Sequence, residues 1–124
     1  MAYINLMNIL FPVTVIETPS FLRDAKNLLD DDEQTNLVSF LAHNPTAGDV
    51  IKGTGGVRKI RWAREGRGKR GGLRVIYFFH SLEIPLFALA IFAKNEKTDI
   101  SQSDRNILKR LTAELVHQYR GGRT

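Results

Sequence analysis

The sequence predicts an α+β domain, with helices packed on a mainly antiparallel four-stranded sheet in the order β-α-α-β-β-β-α. Three observations support this fold class. One β-branched run precedes two segments with apolar residues at helical spacing, which predicts a strand and a helical hairpin. Three further strand-like runs are joined by turns, as is typical of antiparallel strands. A long amphipathic segment closes the chain and predicts a last helix. We expect the helices to cover one face of the sheet and to leave part of the other face free.

The composition is that of a globular protein with a sizeable core. The chain has 124 residues, of which 43% are hydrophobic and 25% are charged, and we expect a single domain at 13–124 behind an N-terminal extension at 1–12. The chain contains no cysteine, which excludes disulfides and thiolate chemistry. Its first residues lack the basic region and cleavage site of a signal peptide, and no apolar run reaches the roughly 20 residues that span a bilayer. We therefore expect a cytoplasmic protein with no membrane partner.

The first half of the chain carries one predicted strand and two predicted helices. Residues 13–19 are rich in β-branched side chains and predict the strand, and Ser20 is the expected cap of the first helix. The aspartates at 30–32 end this helix and cap the second, where acids complement the helix dipole. Asn44 and Pro45 end the second helix. The apolar stripes of the two helices consist of Phe21, Ala25, Leu28, Leu29, Leu37, Phe40 and Leu41.

The second half adds three strands and a helix. Three runs rich in β-branched and aromatic side chains predict strands, at 57–63, 73–80 and 85–93. The last two are apolar on both faces, as expected in the centre of a sheet. Residues 101–120 predict a helix that Ser101 or Ser103 caps and that Gly121 stops. Its expected apolar face consists of Ile107, Leu108, Leu111, Leu115 and Tyr119.

Positive charge is concentrated in the hairpin formed by the first two of these three strands. Nine of the 18 Lys and Arg residues fall between Lys52 and Arg74, together with a single acid. Strand alternation places Lys59 and Arg61 on one face and Arg58 on the other. Because the turn is nearly symmetric, we expect Arg74 opposite Arg61 or a close neighbour. Like charges at opposed positions destabilise a sheet unless an anion lies between them, and phosphate suits Arg and Lys. The alternative is a solvated hairpin that is basic for solubility.

Other groups of side chains are less informative. His43, His80 and His117 are far apart in sequence and have no acids at metal-ligand spacing beside them, so we expect neither a metal nor a cofactor. The GTGG run is not followed by GK[ST] and does not predict a phosphate-binding loop. Trp62 and Tyr77 could stack on bases, but we expect both in the core. The clustered charge predicts an anionic partner, and nucleic acid before an acidic protein or a membrane surface.

Three stretches of the sequence resemble a known family. GDVIKGTGGVRKIRWA, GRGKRGGLRVIYFF and IFAKNEKTDIS are similar to the RelE/ParE superfamily of toxins from type II toxin–antitoxin systems, and most similar to its HigB-like branch. The resemblance extends from residue 13 to the end and implies a RelE-like fold, which has the element order predicted above. It also implies a cognate antitoxin as a protein partner. RelE-type members are ribosome-dependent endoribonucleases that cut mRNA, whereas ParE-type members inhibit DNA gyrase.

The resemblance implies a set of catalytic residues. The positions that match the RelE pattern are Lys59 and Arg61 on the second predicted strand, Arg74 at the start of the third and Lys94 after the fourth. The sequence departs from the pattern at Asn95 and Ser101, where RelE-like enzymes can carry an arginine and a catalytic tyrosine. This departure leaves the general acid unassigned, although the residues that would bind the phosphate are all present.

The implied chemistry is RNA cleavage by the substrate's own 2′-hydroxyl, which needs neither a metal nor a protein nucleophile. Neighbouring cations favour the neutral form of a lysine amine, so Lys59 is the candidate base. Arg61 and Arg74 would hold the non-bridging phosphate oxygens, where charge develops in the reaction. Lys94 would be the acid or a second electrostatic clamp.

The remaining cations of the hairpin are predicted to bind the RNA backbone. These are Arg58, Arg64, Arg67, Lys69 and Arg70. The leading hypothesis is therefore a ribosome-dependent mRNA endoribonuclease that inhibits translation, with the ribosome and mRNA as partners. One alternative is a non-enzymatic, ParE-like inhibitor of gyrase. The absence of a basic pair on the second predicted strand would have favoured this alternative, but the pair is present. Another alternative is an inactive relative that binds DNA or protein.

Overall fold

The structure is a computed structural model that describes residues 11–63, 72–94 and 100–121. Its elements in chain order are β1 (Val15–Glu17), α1 (Pro19–Leu28), α2 (Asp31–His43), β2 (Asp49–Val50), β3 (Val57–Ala63), β4 (Gly72–Phe78), β5 (Leu86–Ala93) and α3 (Gln102–Gly121). The predicted α+β class is confirmed, and the predicted element order holds except for the additional strand β2. None of the helices in these ranges combines the length and the apolar character needed to cross a membrane.

The strands form one mixed sheet of five strands in the order β1-β5-β4-β3-β2. All neighbouring pairs are antiparallel except β1 and β5, which run parallel with Val15 opposite Leu86. The four-stranded prediction missed β2, which contains two residues that pair with β3. A strand this short leaves no periodic pattern in the sequence. Its position at the edge nevertheless matters, because it lies beside the basic strand β3.

The N-cap of the first helix lies two residues before the predicted cap. Thr18, and not Ser20, is the N-cap of α1, and its hydroxyl accepts a hydrogen bond from the Phe21 N–H at 3.3 Å. The same hydroxyl donates to the Ala88 carbonyl on β5 at 2.8 Å. Pro19 suits the first helical position, where no N–H donor is needed. The contact with β5 thus decides between two residues that both suit a cap by type.

The second helix begins and ends as predicted. The Asp30 side chain accepts a hydrogen bond from the Glu33 N–H at 2.7 Å, and the Glu33 side chain accepts one from the Asp30 N–H at 3.0 Å. This reciprocal capping box satisfies two of the N–H groups that a helix start leaves without partners. Asn44 is the C-cap, immediately before Pro45.

The helices cover both faces of the sheet, which corrects the expectation of one covered face. On one side, α1 and α2 pack in a cluster with Leu73 and Val75 of β4, and we call this side the α1/α2 face. On the other side, four side chains of α3 pack on a second cluster around Ile76 and Phe78, and we call this side the α3 face. Because β4 is buried on both sides, its sequence is apolar at successive positions instead of alternating.

The buried stripe of α3 differs from the predicted one. Ser101 caps the helix as predicted, and its hydroxyl accepts a hydrogen bond from the Asp104 N–H at 3.1 Å. Ile107 and Leu111, which were expected in the core, are 51% and 38% exposed. They line an apolar groove of about 550 Å³ beside β5. The packed stripe runs instead through Leu108, Thr112, Leu115 and Tyr119.

Thr112 connects α3 to the loop between β2 and β3. Its side chain is almost completely buried, and its hydroxyl lies 3.0 Å from the Thr54 carbonyl oxygen. Gly55 has a φ of +80°, and a Cβ at this position would collide with the Thr112 hydroxyl. Arg105 adds a second connection, because its Nη1 donates to the Lys52 carbonyl at 2.8 Å. The loop that leads into β3 is therefore held against α3 by polar contacts.

Candidate active site

Two predicted catalytic residues lie on the part of the α3 face that solvent reaches. Ile60 and Trp62 of β3 pack on the α1/α2 face, whereas Lys59 and Arg61 alternate with them and are exposed. Val57, at the start of the strand, is buried in the cluster under α3. The face that β3 presents on this side thus changes from apolar to basic along the strand, as the alternation predicted.

Arg74 of β4 lies directly opposite Arg61 of β3, which confirms the register predicted from the symmetric turn. Residues opposed in this way share a face, with Cβ atoms about 4.5–5.5 Å apart. The Arg74 guanidinium donates to the Leu73 carbonyl at 3.3 Å. Among the residues that the structure describes, no carboxylate forms an ion pair with Arg61 or Arg74. Two uncompensated guanidinium groups side by side favour a bound anion.

Lys94 brings a fourth cation to the same end of the sheet. It directly follows β5, and its backbone N–H donates to the carbonyl of Gly72 at 3.3 Å. Gly72 opens β4 two residues before Arg74. The Lys94 side chain is exposed. The four predicted catalytic residues therefore come from β3, β4 and the end of β5, and we call Lys59, Arg61, Arg74 and Lys94 the basic set.

Arg58 does not join the basic set. It lies on the α1/α2 face, where its Nη1 donates to the Gly48 carbonyl at 2.7 Å and to the Thr46 carbonyl at 3.3 Å. Its Nε is buried without a hydrogen-bond partner. The side chain thus holds the loop before β2, and its predicted contact with RNA stays a prediction. The other predicted RNA-binding residues lie outside the described part of the chain, and they are Arg64, Arg67, Lys69 and Arg70.

Tyr77 holds the same loop from β4. It is fully buried, and its hydroxyl donates to the Pro45 carbonyl at 2.9 Å and accepts from the Gly48 N–H at 2.8 Å. Burial raises the pKa of the Tyr77 phenol above its ordinary value, and the Gly48 hydrogen bond and the charge of Arg58 oppose this shift. Trp62 packs on Phe40 of α2, with the two ring centroids 5.4 Å apart. The predicted core position is confirmed for Tyr77, whereas Trp62 is half-buried and packs against the core.

Asp49 is a charged neighbour of the basic set that was not predicted. It lies on β2 directly opposite Lys59, so the two side chains share the α3 face. Asp49 is exposed to solvent. No pattern in the sequence pointed to this pair, because Asp49 lies outside every predicted helix and strand. Only the register of β2 on β3 brings the carboxylate beside the lysine.

Of the two positions that depart from the RelE pattern, only Ser101 lies in the described part of the chain. The Ser101 hydroxyl is occupied as the cap of α3. Asn95 lies outside the described residues. In the ranges that the structure describes, no three or more His, Asp or Glu side chains come together in a group that could hold a metal ion.

A comparison with protein-family models supports the resemblance seen in the sequence. The model described as the RelE toxin of the RelE / RelB toxin-antitoxin system matches residues 13–120. The match spans every element from β1 to α3 and includes Asp49 and all members of the basic set. It does not separate the branches of the superfamily, so the HigB-like assignment stays a prediction.

Proposed function

The chain belongs to the RelE toxin family, and from this premise we propose that it is a ribosome-dependent endoribonuclease that cuts mRNA and thereby inhibits translation. The observation that carries the proposal is the register of Arg61 opposite Arg74, next to Lys59, on an exposed part of the sheet. A phosphodiester supplies the anion that such a pair of guanidinium groups can hold by bidentate hydrogen bonds.

The proposed reaction is attack of the ribose 2′-oxygen on the adjacent phosphorus. The 2′-hydroxyl loses its proton, the 2′-O–P bond forms and the P–O5′ bond breaks, which leaves a 2′,3′-cyclic phosphate and a 5′-hydroxyl end. Arg61 and Arg74 hold the non-bridging oxygens, where fixed positive charge is most effective as negative charge develops. Lys94 protonates the leaving 5′-oxygen or stabilises its charge. This chemistry requires no protein nucleophile and no metal.

Membership in the RelE family implies a cognate antitoxin as partner. The ribosome and mRNA are the further partners that we propose, which would place the protein in the cytoplasm. Their phosphates match the positive charge between Lys52 and Arg74, where nine of the 18 Lys and Arg residues lie. Binding of this kind depends mainly on the RNA backbone and positions the protein without reading the sequence.

The proposal can be tested by adding purified protein to ribosomes that are translating a defined mRNA and mapping the mRNA ends. We expect new 5′ ends that depend on ribosomes and disappear with the double variant Arg61→Gln/Arg74→Gln. Arg23→Ala is the matched control, because Arg23 is an exposed residue of α1 that pairs with Asp24. Intact mRNA with the wild-type protein contradicts the proposal. Inhibition of gyrase supercoiling under the same conditions would then support the ParE-like alternative.

A second test uses growing cells. We expect expression of the protein alone to arrest growth, and co-expression of the cognate antitoxin to restore it. The arrest should follow the loss of intact mRNA and not precede it. High-level expression of the soluble wild-type protein without any growth defect would remove most support from the toxin assignment.

A further inference from the structure

We propose that the carboxylate of Asp49, and not the amine of Lys59, accepts the proton of the 2′-hydroxyl. This inference rests on the proposed function and adds a catalytic residue to it. The observation behind it is the pairing of β2 with β3, which places Asp49 directly opposite Lys59 on the exposed α3 face. Asp49 is therefore the carboxylate that the sheet itself brings next to the basic set.

Asp49 lies within reach of a phosphate bound by the arginine pair. It is directly opposite Lys59, with Cβ atoms about 4.5–5.5 Å apart, and diagonal to Arg61 at about 7–8 Å. A phosphate between Arg61 and Arg74 would thus have the carboxylate on its β2 side. The ribose that carries the attacking 2′-oxygen is directly bonded to that phosphate, so it can extend from the arginine pair towards β2.

The backbone before Asp49 is held more firmly than a two-residue edge strand requires. The Gly48 N–H donates to the Tyr77 hydroxyl at 2.8 Å, and the Gly48 carbonyl accepts from Arg58 at 2.7 Å. A Cβ on Gly48 would lie 2.9 Å from the Tyr77 ring and 3.0 Å from the Lys59 carbonyl oxygen. Two hydrogen bonds, one to Tyr77 of β4 and one from Arg58 of β3, therefore fix the residue that precedes Asp49. A side chain that must transfer a proton needs this kind of support.

The chemistry also favours a carboxylate over an amine in this role. An aspartate is normally ionised at neutral pH and accepts a proton directly, whereas a lysine must first lose one. Lys59 is surrounded not only by cations, because the register places the Asp49 carboxylate directly opposite it. With Asp49 as the base, the role left for Lys59 is to stabilise the phosphorane together with Arg61 and Arg74.

The proposed step balances as follows. The 2′-hydroxyl proton moves to an Oδ atom of Asp49 as the 2′-O–P bond forms. The P–O5′ bond breaks, and the leaving oxygen receives a proton from Lys94 or from water. Asp49 then releases its proton to solvent, and an unprotonated Lys94 takes one back, so that the protein returns to its starting state.

The experiment measures the single-turnover rate of mRNA cleavage on programmed ribosomes for the wild type and four variants. We expect Asp49→Asn to slow the chemical step by about 100-fold or more, because an amide cannot accept the proton, and Asp49→Glu to stay within about tenfold of wild type. Lys59→Arg should also keep most of the rate, because a guanidinium supplies charge but cannot act as a base. Asp32→Asn is the control for the change in net charge, since Asp32 is an exposed residue of α2.

The outcomes separate this inference from the proposed function. Wild-type protein that leaves mRNA intact overturns both. Wild-type cleavage together with an Asp49→Asn rate within about threefold of it overturns the inference alone, and so does an Asp49→Glu variant as slow as Asp49→Asn. Loss of cleavage in Lys59→Arg with an active Asp49→Asn assigns the base to Lys59 instead. Ribosome affinity and thermal unfolding of each variant show whether a lost rate reflects binding or folding.

Discussion

Arg61 and Arg74 face each other across two neighbouring strands, and no carboxylate in the described part of the chain neutralises either of them. Opposed like charges destabilise a sheet, so the free protein carries a small energetic cost at this position. A bound phosphate removes that cost and gains charge-assisted hydrogen bonds. If the protein binds RNA as we propose, the pair connects the stability of the hairpin with its affinity for RNA.

The first prediction concerns Arg74→Ala. We expect this variant to lose toxicity while its free energy of unfolding stays within about 1 kcal/mol of wild type. The stability lost with the packing of the Arg74 side chain is offset by the removal of its repulsion with Arg61. Growth at matched expression and urea unfolding measure the two quantities. Arg23→Ala, on the other side of the sheet, should remain toxic. Undiminished toxicity of Arg74→Ala would remove this arginine from the active site.

The second prediction concerns the source of affinity for the ribosome. Arg67, Lys69 and Arg70 fall between β3 and β4 in the sequence, outside the described residues. If they bind RNA phosphates, the log of the affinity falls with log salt by roughly 0.7 to 0.9 per contact. The triple alanine variant should then flatten this slope by about two or three units without changing which bond is cut. An unchanged slope would support the alternative of a hairpin that is basic only for solubility.

The third prediction separates backbone strain from packing at two glycines of the loop before β3. Gly53 and Gly55 have φ values of +82° and +80°, so alanine is strained at both. A Cβ on Gly53 has no heavy atom within 4 Å, whereas a Cβ on Gly55 collides with Thr112. We expect Gly53→Ala to cost about 1 kcal/mol and Gly55→Ala clearly more, measured by urea unfolding. Equal losses of unfolding free energy for the two variants would mean that Thr112 of α3 can move away from a Cβ at position 55 without a measurable cost.

The fourth prediction concerns Tyr77 at alkaline pH. A tyrosine titrates near pH 10 when unfolded, and burial raises the pKa of Tyr77 in the folded protein. The folded state then keeps a proton that the unfolded state has lost, so this contribution to stability is complete below about pH 10 and disappears as pH rises through the folded pKa.

The matching experiment compares urea unfolding of wild type and Tyr77→Phe between pH 7 and pH 11. At pH 7 the variant should be less stable by about 1–3 kcal/mol, because the buried Gly48 N–H and Pro45 carbonyl lose their partner. Above about pH 10 the difference in unfolding free energy between wild type and Tyr77→Phe should become smaller. Tyr119→Phe, whose ring packs on Phe87 under α3, is the control and should leave the wild-type decline in place. A constant gap across the series would show that Tyr77 does not titrate differently on folding.

Features that depend on local sequence were predicted correctly. The cap at Asp30 follows from short-range hydrogen bonds, and the register of Arg61 on Arg74 follows from the symmetry of one turn. Each of these relationships lies within a few dozen residues of continuous chain. That Lys59 and Arg61 share a face follows in the same way from alternation along a strand, whereas Lys94 joined the basic set only through the family resemblance.

Features that depend on distant partners could not be predicted. Thr112 lies in the buried stripe of α3 because the Thr54 carbonyl satisfies its hydroxyl, and hydrophobicity alone suggests Leu111 instead. Thr18 replaces Ser20 as a cap because the Ala88 carbonyl lies beside it. The pairing of Asp49 with Lys59 requires a strand of two residues. In each case a polar group has a partner that only the tertiary structure supplies.

The support of Gly48 by Tyr77 has a consequence for genetics. Selecting cells that survive expression of an active toxin recovers any substitution that abolishes activity, wherever it lies. Tyr77 holds the residue before Asp49 through a hydroxyl that is buried on the α1/α2 face. The cells that survive this selection should therefore include some with full-length, soluble variants at Tyr77 and Gly48. A map of such alleles would extend through the thickness of the sheet, from the proposed catalytic surface to a layer that the substrate never touches.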